Sequence, residues 1–186
     1  MKITYKISLL NSSREVVKEI EGEAKSLVKN HYLAFYIALT GTAVSLKDVN
    51  GASFTPLVSY SRVYEPPQLG PVDIKAPEGD SSYGILIGTS DVSPSADDTD
   101  LHQKFSCHPL SSILSDVYLE GDNPAIHVVR EFENDNEDTI IKEFGIIAKT
   151  FVQYDDIRKH LIFRDVVTPI AFPLDYSLRV KVKFSF

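Results

Sequence analysis

The chain has 186 residues, a single cysteine, and 19 basic against 26 acidic side chains, which gives a net charge of −7. This length is enough for one domain, 1–186, whose core needs no disulfide or metal to hold it together. The negative charge and the lack of a visible basic patch argue against nucleic acid and membrane partners, and no apolar run is long enough for a membrane span. A lone cysteine with no leader-like start predicts folding in a reducing cytoplasm.

A hairpin followed by a helix is predicted first. Apolar and polar residues alternate from 2 to 10, a polar turn follows, and 15–20 returns as the second strand. From residue 23 the apolar spacing lengthens to three and four residues, which predicts an α-helix over about 23–39. Its second half has little polar face, so we expect a sheet or another subunit to cover it, with Tyr32 and Tyr36 as candidate subunit contacts.

Residues 42–64 predict a second β region, with a turn at Asn50–Gly51. The next segment, 65–82, is rich in proline and glycine, so it cannot form a central strand or a helix interior. It predicts an extended surface loop or arm, which is either a subunit contact or only a connector. The candidate subunit contacts in this arm are Pro66, Pro67 and Pro71.

A short apolar strand, 83–89, lies beside an acidic segment. Two glycines flank its apolar residues, but no phosphate-binding motif surrounds them. The following segment, 90–100, carries four aspartates and predicts a solvated loop, with a calcium site over 91–100 as the alternative. The order of its residues is not that of an EF-hand.

One cluster contains residue types that bind metals or act as nucleophiles, namely His102, Cys107 and His108. Adjacent side chains diverge in an extended chain, and no second pair has zinc-finger spacing, so no metal site is predicted. A thiol–histidine nucleophile would need contact between the two side chains and a third group to orient the histidine. We therefore expect a buried, unreactive Cys107, no cofactor and no enzyme activity.

The last third of the chain predicts four antiparallel strands with hairpin-length connections, from 125 to 186. The strand 139–149 is apolar on both faces, with Ile140 and Phe144 on one face and Ile141 on the other. Because both faces need cover, this strand is expected at the centre of a sheet.

Glu143 stands in that apolar strand, where an unpaired carboxylate would be costly to bury. Arg130 and Arg164 stand in equally apolar strands, so one of them is expected to pair with Glu143. A structural ion pair that fixes strand register is the favoured interpretation. Half of a general acid–base site is the alternative.

The closing stretch, 177–186, has an apolar residue at every second position from Leu178 to Phe186. This period is typical of a strand with one buried and one solvated face. Together, the spacing of the strands predicts a mainly β fold, an antiparallel β-sandwich or jelly roll, with one N-terminal helix packed on it. The hairpin and helix would occupy residues 1–41.

Two stretches of the last third, IHVVREFENDNEDTIIKEFGIIAK and LIFRDVV, are followed by Pro169 and the alternating strand. This succession resembles a widespread group of tailed-phage virion proteins. In that group the second strand carries a Glu and then a Gly, which are Glu143 and Gly145 here. The amino-terminal hairpin, the segment KDVNG and the stretch GILIGTSDVSPSADDTDLHQKF are similar too. The resemblance covers most of the chain and departs at the proline-rich arm.

The resemblance implies a structural protein of the virion, made in the host cytoplasm, that packs against other virion proteins and copies of itself. A capsid decoration or auxiliary head protein is the first expectation, and a neck, tail or baseplate component is the second. A carbohydrate-binding or receptor-binding β-sandwich is the alternative from another class. Its sugar-stacking residues would be Tyr60, Tyr64 and Tyr83.

Overall fold

The computed structural model of the chain describes residues 2–24, 27–40, 44–56, 73–114, 118–120, 123–153 and 156–185. They form a mainly β structure with antiparallel sheets and one short helix. In chain order the elements are β1 (Lys2–Leu10), β2 (Val16–Glu23), α1 (Lys29–Thr40), β3 (Leu46–Lys47), β4 (Ser53–Phe54), β5 (Gly84–Gly88), β6 (His108–Pro109), β7 (Ile113–Leu114), β8 (Tyr118–Glu120), β9 (Asn123–Glu133), β10 (Thr139–Gln153), β11 (Asp156–Phe172) and β12 (Ser177–Ser185).

The largest sheet has seven strands, and β12 lies in its interior. β12 pairs with β1 on one side and with β9 on the other, along its whole length. β2 forms one edge beyond β1, while the short strands β6, β7 and β8 pair with β9 on the other side. Leu178, Val180 and Val182 are fully buried, which confirms the predicted alternating strand. Phe186 lies outside the described residues.

A three-stranded sheet places β10 between β11 and β5. On one face, Phe144 and Ile146 join a core cluster shared with the seven-stranded sheet, where the rings of Tyr5 and Phe144 are 4.9 Å apart. On the other face, Ile147 joins a second cluster that includes Val28. Both faces of β10 are therefore covered, and its predicted place at the centre of a sheet is confirmed.

The four strands predicted between 125 and 186 are present as β9 to β12, but they do not follow one another within a single sheet. β9 pairs with β12, and β10 pairs with β11, so the turns after β9 and after β11 carry the chain from one sheet to the other. Phe132 of β9 and Phe144 of β10 belong to one core cluster. The apolar faces of the two strands cover each other across the core, which strands paired within one sheet cannot do.

The two isoleucines at the start of β10 are also grouped differently from the prediction. A bulge between Ile141 and Glu143 shifts the register of β10 against β11. Ile141 is buried in the same cluster as Phe144, whereas Ile140 is 49% exposed. The extra residue of a bulge reverses the alternation of the strand, and a regular period cannot anticipate it.

The helix begins at Lys29, so the predicted start near residue 23 is wrong. β2 continues to Glu23, beyond its predicted end at residue 20, and the chain stays extended at Ala24, whose backbone bonds to β1. Leu27 then forms an isolated bridge to β11. Pairing with the neighbouring strands overrides the helical spacing of these apolar residues.

Helix α1 packs on β11 and β3. The buried Asn30 side chain donates to the Lys47 carbonyl at 2.7 Å and accepts from the Lys47 N–H at 3.0 Å. The predicted turn before Gly51 joins β3 to β4, and Gly51 adopts a φ of 79°. Among the helices of the described residues, none has the length and apolar content needed to span a membrane.

Residues 73–82 of the proline-rich segment lie against the sheets instead of extending away from them. The backbones of Asp73 and Lys149 exchange two hydrogen bonds, at 2.9 and 2.8 Å, and Ala76 is buried. This half of the predicted arm is therefore anchored on β10. The other half, with Pro66, Pro67 and Pro71, lies outside the described residues.

Candidate functional site

The deepest charged site joins β10 to β11. Arg164 Nε donates to Glu143 Oε2 at 2.6 Å, and both side chains are fully buried. Of the two predicted partners of Glu143, the structure places Arg164 beside it and Arg130 elsewhere. The pair lies diagonally across the ladder, because Glu143 is opposite Val166 in the register.

The same two side chains hold the acidic segment against the sheet. Glu143 accepts backbone hydrogen bonds from Gln103 at 2.8 Å and from His102 at 3.3 Å. Arg164 donates to Asp98 Oδ2 at 2.9 Å and to the Val92 carbonyl at 2.7 Å. One buried ion pair thus fixes both ends of the loop over 91–103, and we name these contacts the loop clamp.

The aspartate of the loop clamp is ionised. Burial opposes its charge, but hydrogen bonds from the Ser95 N–H, His102 and Arg164 hold the pKa of Asp98 below its usual value. The Asp98 carboxylate therefore stays negatively charged at neutral pH and keeps its ion pair with Arg164. The sequence showed Asp98 only as one of several acidic loop residues, and no periodic signal marked it as the partner of Arg164.

Two glycines leave room for the loop clamp. A Cβ at Gly88 would lie 2.6 Å from Glu143 Oε1 and still closer to the Gln103 carbonyl. A Cβ at Gly145 would lie 2.7 Å from the Phe163 carbonyl and 2.9 Å from Leu101. A larger residue at Gly88 would push the loop away from the sheet, and a larger residue at Gly145 would collide with the backbone of β11.

Arg130 forms a second buried site and bridges the two sheets. It belongs to β9, yet its Nη1 donates to the carbonyls of Tyr83 at 2.9 Å and Ile85 at 3.0 Å, at the start of β5. The rest of its donors reach three further carbonyls, those of Leu110 at 2.9 Å, Pro77 at 3.2 Å and Asp80 at 2.6 Å. We name these contacts the carbonyl clamp.

The carbonyl clamp uses every donor direction of a guanidinium, which only arginine supplies. Burial lowers the pKa of Arg130, and the Asp80 carboxylate opposes that effect. The sequence predicts a carboxylate partner for Arg130, whereas the structure surrounds its guanidinium with backbone carbonyls. Every residue has a backbone carbonyl, so the sequence does not mark which carbonyls accept a hydrogen bond. An arginine in an apolar strand was the only indication of this site.

The acidic loop directs most of its carboxylates at basic side chains. Besides Asp98, Asp91 pairs with Lys142 at 3.0 Å and Asp100 with Lys104 at 2.7 Å. Within the part of the chain that the structure describes, no group of three or more His, Cys, Asp or Glu side chains is placed to hold a metal ion. The calcium alternative for 91–100 gains no support from this arrangement.

The cluster of His102, Cys107 and His108 does not converge. His102 contacts Asp98 at 3.4 Å and His108 contacts Glu78 at 3.2 Å, both near the surface. Burial, with a smaller contribution from the charge of Asp135, raises the pKa of the Cys107 thiol to about 12. The thiol is protonated at neutral pH and is a poor nucleophile.

Cys107 is half-buried and not fully buried as predicted, and it lines a small cavity of about 130 Å³. The volume is below the range of pockets that enclose a drug-sized ligand. Its walls come from β5, β6, β9 and the segments that precede β5 and β6. The lining residues are Ser81, Leu86, Ile87, Lys104, Phe105, Ser106, Cys107, Pro109 and Phe132.

The candidate surface aromatics have different positions. On α1, Tyr32 is 60% exposed and Tyr36 is 46% exposed. Tyr83 is buried, with its hydroxyl donating to the Lys75 carbonyl at 2.9 Å and Lys149 Nζ 3.9 Å from its ring centroid. It is therefore not available to stack on a sugar. Tyr60 and Tyr64 lie outside the described residues.

The outer face of the seven-stranded sheet carries a basic stripe that the sequence prediction missed. Arg179, Lys181 and Lys183 alternate with the buried residues of β12, and Lys6 of β1 lies directly opposite Lys181. The sequence analysis did not single out this row of basic side chains. The alternation RVKVK was the available signal, because residues two apart on a strand share a face.

Acidic side chains border the basic stripe on two sides. Lys6 pairs with Glu19 at 2.6 Å and with Glu21 at 3.2 Å, both on the edge strand β2. Arg179 pairs with Glu131 of β9 at 3.0 Å. These pairs partly neutralise the stripe at Lys6 and at Arg179.

Comparison of the chain with protein-family models, with curated proteins and with solved structures finds no match.

Proposed function

We propose that this chain is a structural protein of a tailed-virus virion, which acts by packing in a symmetric assembly and not by catalysis. A capsid decoration or auxiliary head protein is the position we favour. The sequence resemblance to tailed-phage virion proteins supports this function, since it covers most of the chain. The strand-and-turn stretches that carry it include the residues of both clamps, Arg130, Glu143 and Arg164.

The observation that carries the proposal is the internal use of the buried charges. Arg130 is saturated by carbonyls, and Arg164, Glu143 and Asp98 bind one another and a loop backbone. Such sites rigidify loops and sheets, whereas a catalytic site needs a polar group that is accessible to a substrate. A particle protein needs this rigidity, because its surface must match neighbouring subunits repeatedly.

The exposed features also suit packing. The outer face of the seven-stranded sheet is broad and charged, and Tyr32 and Tyr36 are exposed on α1. Aromatic side chains of this kind are enriched at protein–protein interfaces. The two sheets share one core cluster, so we propose an antiparallel β-sandwich of the jelly-roll type, within a single domain.

A neck, tail or baseplate position is the second candidate within the same class. The contacts described above favour neither a shell nor a tail, because both require rigid subunits with broad interfaces. The carbohydrate-binding alternative loses Tyr83, which is buried.

The composition of purified particles tests the proposal. Virions of the virus that encodes this chain would be purified by density gradient and analysed by quantitative mass spectrometry, with heads and tails separated. We expect the chain in stoichiometric amounts in particles, enriched in the head fraction. Enrichment in tails would favour the second candidate. Absence from particles, with abundant chain in the infected cell, would overturn the virion assignment.

A further inference from the structure

We propose that the outer edge of strand β2 binds an extended segment of another protein, in which basic and apolar residues alternate, as an added antiparallel strand. The inference goes beyond the proposed function, because it does not depend on the virion assignment. Three features of the structure carry it: a row of backbone groups that point away from the sheet, an acidic row on the outer side of β2, and an apolar residue on its core side.

The backbone of β2 offers hydrogen bonds to a further strand. Among the described residues β2 ends the seven-stranded sheet and pairs only with β1, in a register without a shift over this part of the strand. The Ala24 N–H donates to the Ile3 carbonyl at 2.9 Å. Because bonded and non-bonded pairs alternate along an antiparallel ladder, the N–H and C=O groups of Glu19, Glu21 and Glu23 point away from β1. Another chain can build on such an edge.

The outer side of β2 is acidic. Lys6 contacts Glu19 at 2.6 Å and Glu21 at 3.2 Å, while Lys2 contacts Glu23 at 2.9 Å. Three carboxylates thus share two ammonium groups, and the row keeps an excess of negative charge. The internal pairs use one oxygen of Glu21 and one of Glu23, whose side chains are 65% and 58% exposed. A carboxylate accepts several hydrogen bonds, so a cation on an added strand can bind beside the internal lysines without displacing them.

The core side of β2 favours apolar residues. Ile20 is half-buried and packs against the core cluster. Tyr5 covers Gly22, where a Cβ would collide with the tyrosine ring, and the Lys18 ammonium group donates to the Pro169 carbonyl at 3.3 Å. An apolar side chain placed beside Ile20 would leave water and extend the core. Since side chains alternate between the two faces of a strand, the segment that fits carries basic and apolar residues in turn.

A second copy of this chain fits the edge less well. Two β2 edges related by a two-fold axis run antiparallel and keep their acidic rows on the same face. In a register centred on Glu21, Glu21 is opposite itself and Glu19 is opposite Glu23 of the other copy. Like charges directly opposite each other destabilise a sheet, whereas a basic segment places opposite charges there. The charge of the edge therefore selects a basic partner.

A synthetic peptide tests the edge. The probe is a capped, fluorescent nonapeptide, TKVKVRVKT, and its control, TEVEVEVET, has acidic residues in place of the basic ones. In fluorescence anisotropy we expect the unchanged chain to bind the basic peptide with a Kd on the order of 100 μM, and the acidic peptide at least about tenfold more weakly. Binding should weaken from about 0.05 M to about 0.5 M NaCl. No binding up to about 1 mM, or equal binding of both peptides, would overturn the inference.

Removing one outward N–H group separates strand addition from charge attraction. Proline is tolerated on an edge strand where the N–H faces solvent, so Glu21→Pro should keep the fold and bind the basic peptide at least about tenfold more weakly. Glu21→Gln removes the same charge but keeps the N–H group, and its affinity should fall only about twofold to threefold. Thermal melting checks the fold of both variants. Equal affinities of the two variants would overturn strand addition.

Methylated peptides test the pairing from the other side, without any change in the chain. In an antiparallel pairing the basic residues of the peptide lie opposite Glu19, Glu21 and Glu23 and direct their N–H groups at β2. N-methylation of these basic residues should abolish binding. N-methylation of the valines, whose N–H groups point to solvent, should leave the affinity within about twofold. The reverse result, or an equal loss with both peptides, would overturn the proposed pairing.

Charge reversal tests the acidic row. We expect Glu21→Lys/Glu23→Lys to bind the basic peptide at least about tenfold more weakly. The matched control, Asp97→Lys/Glu137→Lys, makes the same change in net charge at two exposed carboxylates away from β2, and its affinity should fall by less than about threefold. Equal losses in the two variants would assign the attraction to overall charge and overturn the role of the edge.

One further outcome would assign the edge to a second copy. If the unchanged chain self-associates in analytical ultracentrifugation and Glu21→Pro abolishes that association, the edge joins copies of the chain and the inferred partner is wrong. None of these results decides the virion assignment, which depends on particle composition. The two proposals can therefore fail separately.

Discussion

Arg164 Nε lies 2.6 Å from Glu143 Oε2, and the side chains of both residues are fully buried. Arg164 also reaches Asp98, and Glu143 also accepts two backbone N–H groups of the loop. The pair therefore joins two strands and a loop through a single buried contact. Its energetic role is best measured by removing one charge and then both.

Removing one partner should cost much more than removing the second. We expect Glu143→Leu to lower the free energy of unfolding by about 3–5 kcal/mol, because Arg164 keeps a buried charge without its nearest carboxylate. In Glu143→Leu/Arg164→Leu the loss should be at least about 2 kcal/mol smaller than the sum of the single losses. Urea unfolding of the four proteins measures this coupling. Strictly additive losses would show that the charges act independently.

The carbonyl clamp should discriminate arginine from lysine. We expect Arg130→Lys to lower the free energy of unfolding by about 3 kcal/mol or more, because an ammonium group cannot reach all five carbonyls. The matched control is Arg179→Lys on the exposed face, where the change should stay within about 0.5 kcal/mol. Chemical denaturation compares the two, and equal losses would contradict the clamp.

The buried ring of His160 should make stability depend on pH. Desolvation lowers its pKa to about 4 in the folded chain, whereas an unfolded histidine has a pKa of about 6.5. As the pH falls below about 6.5, the unfolded chain binds a proton at this ring and the folded chain does not. The stability is thus fully present above that pH and falls by up to about 3 kcal/mol towards pH 4.

A His160→Leu variant isolates this effect, because other carboxylates titrate in the same chain. The difference in unfolding free energy between the variant and the unchanged chain should change steadily from about pH 7 to about pH 4. The Thr150 hydroxyl, 3.4 Å from His160 Nδ1, loses its contact in the variant at every pH. A constant difference would show that His160 titrates normally.

The thiol of Cys107 should react slowly. Burial raises its pKa to about 12 from an ordinary value of 9.0, so the thiolate fraction at pH 8 falls by about 1,000-fold. We expect iodoacetamide to label the folded chain about 1,000 times more slowly than the chain in denaturant. Mass spectrometry follows the labelling. Equal rates would show an accessible thiolate and reopen the question of a nucleophilic role.

The strands with strict alternation were predictable from the sequence. In β12 the apolar row and the basic row are two halves of one period, so burial of Val180 and Val182 also places Lys181 on the outer face. The central position of β10 was predictable for the same kind of reason, because a strand without a polar face needs cover on both sides.

Features set by distant partners were not predictable. The bulge at Ile141 depends on how β10 aligns with β11, and the extension of β2 to Glu23 depends on pairing with β1. The acceptors of Arg130 are backbone carbonyls, which every residue possesses. Which arginine pairs with Glu143 depends on which strand lies beside β10. The chain crosses to the other sheet between β9 and β10, so Arg164 of β11 is the neighbour and Arg130 of β9 is not.

The interior position of β12 has a consequence for synthesis. β1 emerges from the ribosome before its neighbour β12, which follows about 180 residues later, since Lys2 is opposite Ser185. At about 5–20 residues per second this delay is on the order of ten seconds or more. During that time Ile3, Ile7 and Leu9 have no strand beside them on that side. A nascent chain of this kind is a natural client for chaperones, and it closes its sheet only after β12 has emerged.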